Sequence, residues 1–557
     1  MRRDLSALAA VEFDVVVVGG GVCGAATAWD AAQRGLAVAL VERGDFSGAT
    51  SAESLKVVHG GIRYLQHLDV VRVRESSRER SALLRIAPHL VHPMPIVVPT
   101  YGHGMRGAEA LGAAFALLSL LTIDRNRGID DPSRRIPAAR LVGREAARSW
   151  FPHVDLGAPT GAGVFWDGQF YNPSRLVWAF VRSAMRAGCV AANYCEVTSL
   201  LRRNGRAVGV VVEDRLGGGR FDLRARVVVN AAGPYAEALL TRVGVRRGRP
   251  TPFSRDMALV IRRDLVTERG LALQTRYHDP SAVLSRGSRH LFLVPWRTRT
   301  LIGVNSVVWR EDPDRLRVTE AEVSGFLEEI NEAVPSLRIR LEDVALVMAG
   351  LLPVDSGDPE DGNVSFGKRP LVTDNARSDG VEGLITAISN RYTVARGVAE
   401  RAVNLSFRKL GRAPAPCRTA VLPLYGGEIR GFDALVSEVA AAMPAETDRR
   451  AVDRLARNHG SAYGDLLRLT REDPRLATPI GGSEVMRAEV IHAVRAEMAQ
   501  HLDDCVFRRT DLGTAGHPGA AALEECAGLV AGELGWSPEQ REAELEAVRR
   551  RFQIGYP

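Results

Sequence analysis

The chain has 557 residues, 46% of them hydrophobic and 25% charged, with a formal net charge of +7 and a sequence pI near 9.3. That length is too great for one core and predicts two or three folded domains. The mildly basic balance suits a small anionic substrate or an anionic membrane surface; 66 acidic residues interspersed among 73 basic ones, with no long Lys/Arg block, argue against nucleic acid as a partner.

The opening "MRRDLSALAAVEFD" is basic, but its short apolar stretch is broken by Glu12 and does not read as a signal peptide. "FDVVVVGGGVCGAATAWDAAQRGLAVALVER" follows. Phe13 to Val18 is a β-branched run suited to a strand buried on both faces. Ala25 to Arg34 reads as a helix, and Ala37 to Val41 as a second strand ending at Glu42. Between strand and helix lies Gly19-x-Gly21-x-x-Gly24, the dinucleotide fingerprint in its required β-α-β context. Gly19 permits the tight turn, Gly21 lets the backbone approach a pyrophosphate, and Gly24 lets helix and strand pack closely. The helix N-terminus offers N–H groups and a positive dipole end to the phosphates, and Glu42 can accept from a ribose diol.

"SLKVVHGGIRYL", Ser54 to Leu65, gathers Lys56, His59, Arg63 and Tyr64 around Gly60-Gly61, a pair that allows close backbone approach. "LGAAFALLSLLTI", Leu111 to Ile123, is too short to span a membrane and reads as a buried core helix, with an interfacial helix as the other reading. From residue 197 the pattern is strand, Asn204-Gly205 turn, strand, Gly-rich turn, strand, ending in "AAGPY". Such a meander, returning to the small residues Ala232 and Gly233, together with a single fingerprint, points to FAD rather than to a nicotinamide dinucleotide; Val197, on the first strand, is expected on the cofactor side.

"HLFLVPWRTRTLIGVNSVVW" reads as a hairpin and "TEAEVSGFLEEINEAV" as an amphipathic helix, together a sheet-rich substrate domain inserted into the nucleotide domain. "DGVEGLITAISNRYTVARGVAERAVNLSF" reads as a buried strand, a short turn and a long helix capped by Thr393. Beyond Tyr425 the chain is helical and highly charged, closing with a Ser537-x-x-Gln540 capping box and Pro538 at the first helical position. The six cysteines form neither a C-x-x-C pair nor a zinc-spaced cluster, so no metal is expected and a reduced intracellular compartment fits. The expected fold class is α/β: an FAD-binding Rossmann-like domain (residues 1–100, 160–250 and 345–420), a substrate domain (101–159 and 251–344) and a C-terminal helical domain (425–557).

These motifs carry a resemblance. "GATSAESLKVVHGGIRYLQHLDVVRVRESSRERSALLRIAPHLVHPMP", with the fingerprint before it and "LFLVPWRTRTLIG", "RLARNHGS" and "LDDCVFRRTDLGT" after it, resembles the FAD-dependent glycerol-3-phosphate dehydrogenases over most of the chain. The resemblance implies the glutathione-reductase/amino-acid-oxidase type of fold. It also implies oxidation of a secondary alcohol with hydride transfer to flavin, and electrons passed to quinone or oxygen. The implied location is cytoplasmic, peripheral on the inner face of the cell membrane. It places Arg63 and Tyr64 against substrate and its phosphate, and His59 beside the flavin, as proton acceptor or as flavin contact. Arg391 and Thr393 take the place of a lysine and a threonine in the family's G-G-K-L-T-T segment. Thr50 and Ser51 fall on the cofactor side, where their hydroxyls can reach pyrophosphate oxygens; Gly60 lies along the flavin, and Lys56 faces a cofactor phosphate or solvent.

The substrate half departs from the family. Its G-x-R-P-L segment reads "AGLLPV", with Leu352 where an arginine grips the substrate phosphate; Arg369, 17 residues on, is the other cation to consider. The family's G-T-T-D reads "GVNS", Gly303 to Ser306, and its G-S-H reads Arg255-Asp256-Met257. A different polyol phosphate or hydroxy compound, or an amine in an FAD-dependent amine or amino-acid oxidase, therefore stands as the alternative substrate.

Overall fold

The computed structural model describes residues 3–104, 107–245, 252–279, 287–353, 371–444 and 447–555. Two sheets organise the chain. The first runs, in spatial order, Leu371–Asp374, Leu384–Ile388, Arg220–Asn230, Phe13–Val18, Val38–Val41 and Val190–Ala192. All its neighbours are parallel except the first pair, and the Cys195–Arg203/Arg206–Asp214 hairpin extends antiparallel from Arg220–Asn230. Helices Val22–Gln33, Pro173–Arg186 and Ala395–Lys409 pack together on this sheet. The strand Phe13–Val18 is buried on both faces, as its β-branched run predicts. Asn204 and Gly205 both have positive φ, the type I′ geometry that the Asn-Gly pair favours.

The second sheet runs Val344–Pro353, Phe253–Ile261, Arg299–Trp309, Gly287–Trp296, Gly270–Asp279, Val91–Thr100, Gly161–Phe170 and Val57–Val58. The expected hairpin forms between Gly287–Trp296 and Arg299–Trp309, and helix Glu320–Ala333 covers one face behind a complete Thr319/Glu322 capping box. Residues 91–100, 161–170 and 345–353, assigned from the sequence to the nucleotide unit, hydrogen-bond in this second sheet. The reason is long-range pairing: Val91–Thr100 and Gly161–Phe170 form a ten-residue antiparallel ladder that local pattern does not reveal.

Two further expectations are corrected. Helix Ala108–Leu121 is not a core helix: only Phe115 is buried, while Leu120 and, just past the helix end, Ile123 are 70% and 80% exposed. Alanine and leucine content mimics a core segment, but only one side of the helix meets the second sheet. Thr393 does not cap the long helix. It lies buried inside a 3₁₀ turn, Tyr392–Val394, and helix Ala395–Lys409 starts after Val394 without a side-chain cap. Among the described residues no helix is long and apolar enough to cross a membrane.

The C-terminal helices, from Phe432–Ala442 to Pro538–Arg551, have their own apolar cores, and Ser537 caps the last helix by accepting from the Gln540 N–H. They dock on the rest through buried charge. Asp45 accepts from Arg508 Nε at 2.8 Å and from Arg509 Nη2 at 2.6 Å. Asp511 accepts from the Tyr171 hydroxyl and from the Asn172 and Asn458 side-chain amides at 2.7–3.0 Å. Arg175 reaches Glu497 across the interface, and within the helical domain Arg454 reaches Glu489 at 2.5 and 2.7 Å. Burial opposes the charge on Glu489, yet Arg454 holds its carboxyl down at about 2. Burial, with Arg175 nearby, pushes the neighbouring His89 imidazole down to about 3.

Both depressed values act in one direction on acidification. Unfolded His89 takes up a proton near pH 6.5 that the folded protein refuses until about 3, and unfolded Glu489 does so near pH 4.3. Folding stability should therefore decline as pH falls from about 6.5 and more steeply below about 4. Thermal melting across this range checks it; a melting temperature flat between about pH 6.5 and 5 would contradict the His89 contribution.

Candidate active site

The fingerprint is built as its glycines require. Gly19 has φ +109°, and a Cβ there would lie 2.6 Å from Ala231 O and 2.8 Å from Ala232 Cα, so the turn presses on the end of strand Arg220–Asn230. A Cβ on Gly24 would lie 1.8 Å from Gly19 O, so the helix can approach only as glycine. Gly21 caps helix Val22–Gln33, and the nearest atom to a Cβ there is Ser51 Oγ at 3.0 Å. Ser51 Oγ accepts from Val22 N–H at 3.0 Å, so its hydroxyl sits at the helix mouth with a proton to donate to a phosphate.

Glu42 follows strand Val38–Val41. Its Oε2 accepts from Gly20 N–H at 2.6 Å and its Oε1 from Gly44 N–H at 2.9 Å. Burial raises its carboxyl against the pull of these two N–H groups. Each oxygen keeps a lone pair for a ribose hydroxyl. Ala232 and Gly233 lie beside this crevice, Gly233 with φ +56°, while the Val197 side chain is buried in the core under the meander. Narrow glycine turns, an open helix N-terminus and a carboxylate at the second strand's end fit a bound dinucleotide.

Three residues expected on the cofactor side are engaged within the protein. The Thr50 hydroxyl donates to Leu351 O at 3.0 Å and accepts from Leu351 N–H at 3.1 Å, so it stitches the loop to strand Val344–Pro353 and its one proton is committed. Lys56 faces neither phosphate nor solvent. It is buried, donating to Ala52 O at 3.2 Å and Met348 Sδ at 3.4 Å, with its ammonium 5.0 Å from the Trp296 ring centroid. Burial lowers it to about 8. Gly60 is glycine for Arg80: a Cβ would lie 2.0 Å from that guanidinium. Gly61, at φ +94°, starts the 3₁₀ turn Ile62–His67.

The structure supplies the partner of His59, which sequence reasoning missed. His59 Nδ1 lies 3.1 Å from Asp167 Oδ2; the imidazole is 50% exposed and the carboxylate 2%. Asp167 Oδ1 also accepts from Gly60 N–H at 2.6 Å and from Arg80 at 3.1 Å, and Arg80 is tied in turn to Trp166 O at 2.7 Å. Burial alone would raise the Asp167 carboxyl; His59, Arg80 and the Gly60 N–H together hold it below its ordinary value. An ionised carboxylate only accepts, so Nδ1 carries the imidazole proton and Nε2 remains the basic nitrogen. One signal for Asp167 was present: a lone carboxylate in the strand "GAGVFWDGQF" must be paired if buried.

Around His59, Phe292 of the second sheet lies 5.9 Å away, centroid to centroid. Arg63 is exposed on the 3₁₀ turn. Tyr64 lies between Arg72 and Arg391, each guanidinium 5.4 Å from its ring. Arg391 pairs with Glu75 and donates to Ser76 Oγ at 2.9 Å. His59, Arg63 and Tyr64 thus lie within six residues of one another, Arg391 reaches the Tyr64 ring, and Thr393 is buried. Leu352, on strand Val344–Pro353, pairs with Ser254, whose hydroxyl donates to Asp256 at 2.6 Å. Arg369 lies outside the described residues.

A dinucleotide crevice on a parallel sheet extended by an antiparallel hairpin, with a second sheet that carries a histidine–carboxylate pair, is the architecture of a flavin-dependent oxidoreductase. The family of FAD-dependent oxidoreductases matches residues 14–405, and the C-terminal domain of alpha-glycerophosphate oxidase matches residues 417–541. The chain is 31% identical over 549 residues to a glycerol-3-phosphate dehydrogenase of Mycobacterium leprae, covering 97% of this chain and 88% of that one. To the glycerol-3-phosphate dehydrogenase of Synechocystis it is 28% identical over 545 residues, 96% and 95% of the two chains. The structure of the Bacillus halodurans glycerol-3-phosphate dehydrogenase complexed with FAD superposes with a TM-score of 0.75 at 23% identity, covering 99% and 97%, and shares the fold. The chain belongs to the FAD-dependent glycerol-3-phosphate dehydrogenase family, and its cofactor is FAD.

The fingerprint geometry generates a prediction. Gly24→Ala should yield protein with far less than one FAD per chain, because the helix must move off Gly19 O. The ratio of flavin to protein absorbance in the purified variant measures it, and full occupancy would contradict this account of the crevice.

Proposed function

We propose that the protein oxidises the C2 hydroxyl of sn-glycerol 3-phosphate, or of a closely related small polyol phosphate, to the ketone, and passes the electrons to a quinone or to oxygen. The observation that carries this reading is the His59–Asp167 pair, half open to solvent on the same loop as Arg63 and Tyr64. Bound FAD would supply the hydride acceptor, held by Gly19, Gly21, Gly24, Glu42, Ser51, Ala232 and Gly233. His59 Nε2 takes the hydroxyl proton as the carbon–hydrogen bond breaks. Asp167 stays ionised and offsets the imidazolium charge, while Arg80 and Gly60 N–H keep the carboxylate in place. Arg63 and Arg391 bring positive charge for the phosphate, and Tyr64 lies beside Arg391. The relatives' names favour this alcohol substrate over the amine alternative.

Adding glycerol 3-phosphate without oxygen should bleach the flavin's long-wavelength absorption; an unreduced flavin at millimolar substrate would remove this substrate. In Asp167→Asn the bleaching rate should fall about a hundredfold with FAD content unchanged, because the amide no longer fixes the tautomer or offsets the charge. Asp167→Glu should recover part of the rate.

Peripheral contact with a membrane is supported by the exposed Leu120 and Ile123 and by the basic net charge. Replacing both by Asp should abolish co-sedimentation with anionic vesicles; unchanged sedimentation would rule out this face.

A further inference from the structure

We propose that Arg43, Tyr235 and Asp314 form a latch by which the substrate domain closes over the nucleotide crevice and retains FAD. Strands Arg220–Asn230, Phe13–Val18 and Val38–Val41 lie side by side and parallel, so their C-terminal ends open together. The middle strand carries the fingerprint. Dinucleotides bind outside the carboxyl ends of such strands. Arg43 leaves the end of one outer strand, directly after Glu42. Tyr235 leaves the end of the other, closing the 3₁₀ turn Gly233–Tyr235. Their side chains meet across the end of the middle strand, with the Arg43 guanidinium 3.8 Å from the Tyr235 ring centroid. The crevice therefore has a bridge over it.

The third member comes from the other domain. Asp314 lies in the turn Pro313–Arg315, which Asp312 fixes by accepting from Asp314 N–H at 2.8 Å. Asp314 takes both terminal nitrogens of Arg43, Nη2 at 2.6 Å and Nη1 at 3.3 Å. Arg43 and the Tyr235 hydroxyl together hold the Asp314 carboxyl below its ordinary value, Arg43 with the larger effect. One exposed carboxylate thus gathers the residues leaving both outer strands and ties them to the substrate domain.

Fold stability does not account for this arrangement. Asp314 is 58% exposed, and an exposed ion pair contributes little to folding stability. The domains are already joined by the loop from Thr50 to His59, whose side chains pack on the second sheet. What the latch controls is passage. FAD can leave the crevice only when Arg43 releases Asp314 or swings off Tyr235. Because the pair is exposed, salt screens it.

The test is FAD release from full-length holoenzyme after dilution, followed by the rise in free-flavin fluorescence. Asp314→Asn should release FAD about tenfold faster than the unaltered protein, and Arg43→Met likewise. Raising sodium chloride to about 0.5 M should speed release from the unaltered protein but add little in Asp314→Asn. Glu311→Gln is the control: Glu311 sits in the same segment but pairs with Arg317 inside the substrate domain. It should leave the release rate unchanged, and the apoprotein melting temperatures of all variants should agree. Asp314→Asn releasing FAD at the unaltered rate would overturn the proposal, as would equal acceleration in Glu311→Gln.

Discussion

A carboxylate with 2% exposure is costly unless its charge is answered, and Asp167 is answered from three sides: an imidazole, a guanidinium and a backbone N–H. Each answer constrains another part of the chain. Arg80, on helix Val70–Ile86, must reach the carboxylate through the space where a side chain at residue 60 would stand, which requires Gly60. Gly61 must take positive φ so that the chain turns into the 3₁₀ segment carrying Arg63 and Tyr64. His59 is left with one nitrogen committed and the other basic. The local conformation of the substrate loop, its glycine pair and its acid–base chemistry thus depend on a single buried charge.

The same physics fastens the helical domain. Asp45 follows Glu42 by three residues and lies at the root of the cofactor crevice, yet its partners Arg508 and Arg509 come from the far end of the chain. Burying such pairs adds little net stability relative to an apolar contact, but removing one partner strands a charge and costs about 3–5 kcal/mol. The effect is to specify one docking pose. The strings shared with relatives at this end, "RLARNHGS" and "LDDCVFRRTDLGT", contain Arg454, Asn458, Arg509 and Asp511, four members of the interface network.

Much of the nucleotide half was legible because its constraints are local. A glycine that must pass a carbonyl, a strand that must be apolar on both faces and an Asn-Gly turn all leave marks within a few residues. The strands of the second sheet were harder to assign, since Val91–Thr100 finds its partner some 70 residues away and reads no differently from a nucleotide-domain strand. Lys56 and Thr50 were misplaced for a related reason. Their types suit phosphate, but a sheet from another part of the chain covers them, and burial against Met348 and Leu351 decides where they point. Helix Ala108–Leu121 shows the converse failure: composition marks a core helix, and only tertiary placement reveals a face with nothing over it among the described residues.

The departure at Leu352 bears on how substrate affinity is distributed. A charge-assisted hydrogen bond to a charged group contributes about 1.5–3 kcal/mol, or roughly ten- to a hundredfold in affinity. Leu352 supplies none, and its neighbours across the strand pair, Ser254 and Asp256, are bonded to each other. Arg391, whose guanidinium lies 5.4 Å from the Tyr64 ring, already answers Glu75. A phosphate paired by Arg391 would compete with that carboxylate, so part of its binding energy would go into displacing an existing ion pair. The His59–Asp167 pair is untouched by this change, because its members lie on the loop and on strand Gly161–Phe170, away from strand Val344–Pro353. The pair held by the buried Asp167 charge and the strand carrying Leu352 are therefore separate elements of the fold, and a change in the second leaves the first as it is.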